Sequence, residues 1–263
     1  MKGVRKIFII IVIILVVFVL GRNIIIKSLI EIGAKVATGL SLDIGKFNLG
    51  LGNSLIHMED IRLHNPQYFS DPFMVDIPEI FVDYNLANML VGKIYLSEVR
   101  FHLKELVVVK NKHGKLNIDS LKAVRSAKKA KERKAAGEPA KKEKRGMYIG
   151  KLSLKADKVI FKDYSQGGEP SIREFNINLS EELENITNAN LLVSTILWKV
   201  LSRTTIATLA NVDLSALESV VSQTLKSATG VAEKVLDNTT EGLKGATEGI
   251  INVLKLPFGV PKE

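Results

Sequence analysis

Reactive side chains and their spacing decide first what chemistry this chain can perform. It has no cysteine, which removes disulfides, thiolate zinc sites, iron–sulfur clusters and a cysteine nucleophile. Its four histidines are His57, His64, His102 and His113. A metalloprotease-type helix needs two histidines four residues apart around a glutamate, and no pair has that spacing. Gly50-Leu51-Gly52 lacks the third glycine of a dinucleotide loop, and neither a Gly-Lys-Ser/Thr phosphate loop nor a Gly-x-Ser-x-Gly elbow occurs. Asp60, Asp76, Asp83, Glu98 and Asp119 are scattered as solvent-facing strand or turn residues would be. Asn185-Ile186-Thr187 and Asn238-Thr239-Thr240 match the glycosylation pattern, a short pattern that often matches by chance. The expectation is a non-enzymatic protein with no catalytic residue, no metal ligand and no cofactor.

Charge and composition narrow the partners. The net charge of +9 belongs to one segment: Lys122 to Arg145 holds eleven Lys/Arg and three acids, net +8, so the rest is close to neutral. With aromatics at 6%, a stacking platform for nucleic acid is not expected. Apolar residues at 46% over 263 positions are enough for a packed core.

The elements that position these residues begin with an apolar leader. Ile7 to Leu20 is all Ile, Val, Leu or Phe, preceded by Lys2, Arg5 and Lys6. Its 14 residues fall short of the roughly 20 that span a bilayer; Gly21 to Ile26 supply the difference. Ile7, Phe8, Leu15, Phe18 and Leu20 are the candidate anchor residues. The cationic flank sets an N-in orientation with the bulk of the chain translocated. A cleaved signal peptide is the rival reading, and it sends the bulk of the chain across the membrane as well.

Strands follow. From Ser41 to Asn117 apolar and polar residues mostly alternate, the pattern of half-buried antiparallel strands. Lys122 to Arg145 is Lys/Ala/Glu-rich with no apolar face and reads as a solvated connection, the alternative being a polybasic patch that docks on anionic lipid. Alternation resumes at Met147 and runs to Leu179. Leu191 to Ala210 then reads as a buried helix, and from Leu214 apolar residues step by three and four. The expected architecture is α+β: an N-terminal membrane helix over 1–27, a β-rich region over 28–121, a basic flexible insertion over 122–146, more of the same antiparallel sheet over 147–182, and amphipathic helices over 183–263 packed on or near it.

One order of motifs carries a resemblance. Ser41-Leu42-Asp43-Ile44-Gly45-Lys46-Phe47 is followed by Asp60-Ile61-Arg62-Leu63-His64-Asn65-Pro66, then Ile77-Pro78-Glu79-Ile80, Leu90-Val91-Gly92-Lys93-Ile94-Tyr95-Leu96 and Gly114-Lys115-Leu116-Asn117-Ile118-Asp119. Val159 to Tyr164 and Phe175-Asn176-Ile177-Asn178-Leu179 follow later. Over roughly residues 1–180 this order resembles the N-terminal region of AsmA-like proteins. The resemblance implies a bacterial inner-membrane protein with its bulk in the periplasm. It also implies a sheet curved into a groove, related to bridge-like lipid-transfer proteins, and a part in envelope biogenesis or lipid homeostasis. Some eight strands at about 4.8 Å each make a groove of roughly 38 Å, too short to bridge an envelope. The candidate groove residues are Ile94, Tyr95, Leu96, Val99, Phe101 and Leu103, with Tyr95, Val99, Phe101 and Leu103 read as one face and Ile94 and Leu96 as the other. Implied partners are membrane lipid, as anchor and as acyl-chain ligand, and an envelope protein; nucleic acid is not among them. The alternative is an anchored structural or interaction scaffold with a filled core and no lipid ligand.

The topology has a direct check. A reporter active only in the periplasm, fused after Glu263, is expected to be active; activity of a cytoplasm-only reporter there would refute the N-in orientation. A mature N-terminus at Arg22 would identify the leader as cleaved.

Overall fold

Alternating apolar residues make six strands: β1 (Leu42–Gly50), β2 (Leu55–His64), β3 (Phe73–Tyr84), β4 (Ile94–Lys110), β5 (Met147–Asp163) and β6 (Ser171–Ile186). The computed structural model that shows them describes residues 21, 23–50, 52, 54–85, 88, 94–138 and 147–222. The chain divides into two units, Met1–Val221 and Ser222–Glu263. The second, Ser222 apart, and the anchor residues Ile7, Phe8, Leu15, Phe18 and Leu20 lie outside the described residues. Among those described, no helix is long and apolar enough to cross a membrane.

The strands hydrogen-bond in sequence order as one open sheet, with β1 and β6 at its edges. Neighbours run antiparallel except β4 and β5, which are parallel over Ile94↔Met147 to Lys110↔Asp163. The sheet is therefore mixed, which corrects the antiparallel expectation. The cause is the connection. Alternation reveals strands but not direction, and a long crossover lets a chain return parallel where a tight turn cannot.

The start of that crossover corrects the reading that the basic segment has no apolar face. A 3-10 turn, Asn117–Ser120, leads into α2 (Lys122–Ala135), which buries Ala123, Val124 and Ala127. Three small residues at i, i+1 and i+4 make a narrow stripe that a lysine-rich composition conceals. Residues 139–146 lie outside the described residues. The turn is pinned by Asn117, which is fully buried. Its Oδ1 accepts from the Val109 and Ile118 N–H groups, and its Nδ2 donates to Val107 O and Asn65 Oδ1. Both donors and both acceptor sites of the amide are used, so its burial leaves nothing unpaired.

The remaining helices are α1 (residues 23–38), α3 (Ala189–Leu201), α4 (Ile206–Leu209) and α5 (from residue 215). Gly39, at φ +84°, ends α1 in the left-handed conformation that glycine adopts without strain. Asn188 caps α3, its Oδ1 accepting from the Leu191 N–H at 2.8 Å. The expected helix over 191–210 is broken into α3 and α4, with the Ser202 and Thr204 hydroxyls donating to the carbonyls of Lys199 and Leu201 between them. Lys131 of α2 donates to Asp213 at 2.6 Å and to Ser215 Oγ at 2.7 Å, fastening α2 to the start of α5. The Lys131 ammonium, with Ser215, brings the Asp213 carboxyl down to about 2.

The apolar rows of the strands do not keep a strict period of two. They step by three once in each strand from β1 to β3: Ile44 to Phe47, Met58 to Ile61, and Ile77 to Ile80. These steps sit side by side, with Ile44 opposite Ile61 and Ile61 opposite Ile77. Leu103 to Leu106 in β4 lies beside Ala156 to Val159 in β5. Each step holds the apolar residues on one face through a bend that would otherwise send them to the other. The bend demands special backbone. Asp60 sits at φ +53°, a region that aspartate tolerates better than most residues. Opposite it, a Cβ on Gly45 would meet the Asp60 Cβ at 2.7 Å, so that position takes glycine.

Candidate functional site

A second set of three-residue steps decides what the candidate groove residues do. Leu96 pairs with Tyr84 and Glu98 with Asp83, so Ser97 is an extra residue in β4. The parallel neighbour follows, stepping from Ile149 to Leu152. Gly150 lies so near that a Cβ on it would meet Ser97 O at 2.8 Å. The bulge moves Leu96 onto the face of Val99, Phe101 and Leu103, and all four pack in the core cluster. This corrects the division into two apolar faces: period-two counting is off by one residue beyond a bulge.

The six residues now fall into three situations. Val99 and Leu103 are sealed, at 5% and 2% exposure, and Leu96 and Phe101 are half-buried against them. Ile94 ends that row beside Met147 and is 49% exposed. Tyr95 is 37% exposed and stacks on Tyr148, with ring centroids 5.1 Å apart; the Tyr148 hydroxyl bonds Asn185 Oδ1 at 2.6 Å.

What seals the row is the chain itself. Leu121, Val124 and Ala127 around α2, Leu191, Leu197, Val200 and Leu201 of α3, Ile206 of α4 and Leu217 of α5 share one core with the strands. α3 packs on β5 and β6, and α2 packs on α3. Leu152, Leu154 and Val159 of β5 are fully buried beneath them, each contributing roughly 1.5–3 kcal/mol. One charge sits within the row, Glu181 opposite Leu154. α3 and the turn after it answer it: Lys199 Nζ lies 2.6 Å and Arg203 Nη2 2.8 Å from the carboxylate. The Lys199 bond above all holds the Glu181 carboxyl below the usual glutamate range, against the opposing pull of burial.

The other face of the sheet is polar and wet except at the turn end of β4 and β5, where Phe69, Val107 and Val109 form a second, small buried cluster with Tyr164. Lys46 pairs with Glu59 at 2.7 Å, His102 with Asp157 at 2.9 Å, Lys151 with Glu182 at 2.7 Å and Lys158 with Glu105 at 3.2 Å. His57 stacks on Phe81 at 4.1 Å, and the Arg100 guanidinium lies over the same ring at 4.5 Å. His64 pairs with Asp43 at 2.6 Å. These histidines serve as cross-strand partners, and no group of three metal-ligating side chains occurs among the described residues. At the turn end of β4 and β5 an open depression of about 750 Å³ is lined by Tyr68, Phe69, Val109 and Tyr164 together with the polar Gln67, Ser70, Asn111, Lys112, His113 and Lys115.

Helix α1 turns Ile26 and Ile30 toward the core but leaves Ile25, Leu29, Ile32 and Val36 exposed, at 47%, 60%, 61% and 66%. Their spacing of i, i+4, i+7 and i+11 is an unmistakable helix stripe. Residues 28–38, expected to open the β-rich region, instead continue helix α1.

No family model, curated protein or solved structure matches the chain.

The Glu181 contact makes a signed prediction. Because its folded pKa lies below the unfolded value near 4.5, the pair stabilises the fold above that value. The stabilisation is lost as pH falls through the folded pKa. Glu181→Gln is expected to cost about 1 kcal/mol at pH 7 and almost nothing in strong acid, read by urea unfolding through the single tryptophan, Trp198. Equal stability of the two proteins at pH 7 would show that the clamp contributes nothing.

Proposed function

We propose that this chain is a non-enzymatic, membrane-anchored module of a bacterial envelope, AsmA-like in the order of its motifs. It is held in the inner membrane by its N-terminal apolar run, with its bulk in the periplasm. Of the two roles open to such a module, the filled scaffold takes precedence over the lipid groove. The observation that carries this choice is the filled core: Val99 and Leu103, at the centre of the expected groove, are buried in one cluster with residues of α2, α3, α4 and α5. An acyl chain entering there would have to open that cluster. The motif residues fit a scaffold too, since Asn65 and Asn117 are spent on each other and on backbone. Support for a non-enzymatic role comes from the histidine–carboxylate pairs, which lie on a solvated strand face and converge on no cavity.

The groove reading keeps one observation. Ile94, and Tyr95 stacked on Tyr148, remain exposed at the end of the row, so a lipid-binding site would be confined to that end. Native mass spectrometry of the full chain, taken from membranes into detergent, separates the two roles. The scaffold reading expects no lipid retained at fixed stoichiometry. Stoichiometric lipid that disappears in the Ile94→Asp, Leu96→Asp double variant would replace the scaffold with a groove.

A further inference from the structure

The outward stripe of α1 and the basic helix α2 meet. Ile25, Leu29, Ile32 and Val36 fall within a narrow arc of the helix surface at 100° per residue, and the exposed residues flanking them include one charge, Lys35. The opposite side of α1 is engaged: Ile26 and Ile30 pack on the core, and Glu31 accepts from the Ile44 N–H at 3.2 Å. The helix is therefore fixed to the sheet in one rotation, with its apolar stripe turned away from the protein. At the far end of α1, Lys122 Nζ donates to Val36 O at 3.1 Å. Gly39, just past the helix, lies so close to Arg125 that a Cβ on it would come within 3.1 Å of the guanidinium. The first turn of the most basic helix thus touches the C-terminal end of the apolar stripe.

Two further facts select an occupant. The stripe begins where the leader's apolar run would leave a bilayer, since about 20 residues from Ile7 reach Ile26. On α2, Lys128 is paired with Asp119, Lys131 with Asp213 and Arg133 with Glu138. Arg125 and Lys129, neighbours on one side of the helix, are without a carboxylate partner among the described residues and lie exposed. An apolar stripe adjoining a membrane span, with unpaired cations at its end, has the chemistry of an anionic bilayer surface: acyl boundary for the stripe, phosphates for the cations.

We propose that α1 lies in the headgroup–acyl boundary of an anionic membrane through Ile25, Leu29, Ile32 and Val36, and that α2 docks on anionic lipid headgroups through Arg125 and Lys129. The proposal rests on the anchored reading of the chain and adds to it a fixed posture: α1 ties the sheet to the bilayer surface, so the domain does not swing freely from its anchor. A screening length of about 8 Å at physiological salt keeps the first turn of α2 within electrostatic reach of the headgroups in that posture.

The absence of cysteine allows a clean test on the full chain. Single variants Ile32→Cys, Ala136→Cys at the end of the Arg125–Lys129 side of α2 and, on the wet face of the sheet, Lys104→Cys are labelled with an environment-sensitive fluorophore. Each is reconstituted into vesicles of phosphatidylcholine with phosphatidylglycerol, or of phosphatidylcholine alone, and floated. The label at residue 32 should be shielded from water and quenched by nitroxide lipids in both vesicle types, while that at 104 is neither. The label at 136 should be shielded with phosphatidylglycerol present and released without it. Arg125→Gln and Lys129→Gln should each lower the ratio of docked to free α2 about fivefold. A label at 32 as wet as that at 104, in a chain that still floats with vesicles, would overturn the posture and leave the anchor standing. Shielding at 32 without lipid quenching would mean that residues 223–263 or a second copy covers the stripe, and would overturn it too. A chain that does not float overturns posture and anchor together.

Discussion

A sheet with one continuous apolar face must keep that face dry, and most of this structure follows from that constraint. The strands are long enough to bend, and a bend reverses the faces unless a residue is inserted. The three-residue steps in every strand from β1 to β5 are those insertions. They place stringent demands on a few positions: glycine at 45 and 150, and a left-handed Asp60. In return the apolar face runs from Ile44 of β1 to Ile186 of β6, interrupted by Glu181. Cover comes from the crossover that makes β4 and β5 parallel and from the helices after β6. The buried amide of Asn117 fixes where that crossover starts.

The same constraint divides the charges into two populations. On the wet face of the sheet, cations and carboxylates pair across strands and contribute little individually. Against the core the charges are few and matched, as with Glu181 between Lys199 and Arg203. The basicity of the chain collects instead on the outer side of α2, while the inner side of that helix is part of the core. One helix therefore has two tasks, covering the sheet with Ala123, Val124 and Ala127 and presenting lysine and arginine to a surface beyond.

Much of the strand content was legible from alternation, because half-buried strands print their faces directly on the sequence. Strand direction was not, since a parallel and an antiparallel neighbour ask for the same side chains. The faces of β4 were misread for a definite reason: nothing in Leu96-Ser97-Glu98-Val99 marks Ser97 as inserted, and only its partner Gly150, more than fifty residues on, shows why the bulge is tolerated. Helix α2 was obscured by its own lysines. The stripe of α1 was legible by spacing, but the long apolar run beside it drew the whole segment into the leader. Of the six candidate groove residues, four turn out to be core and two remain at the open end, a division that burial decides and residue type does not.

The central claim is that the chain's own helices, and not a ligand, close the apolar face of the sheet. Thiol reactivity tests it most directly in a cysteine-free background. Leu103→Cys and Ile94→Cys, introduced singly in the full chain, are exposed to a small maleimide without denaturant. The account predicts rapid modification at 94 and, at 103, modification only as fast as the domain unfolds. Equal, rapid modification at both positions would show the face to be open, and the scaffold reading would fall with it.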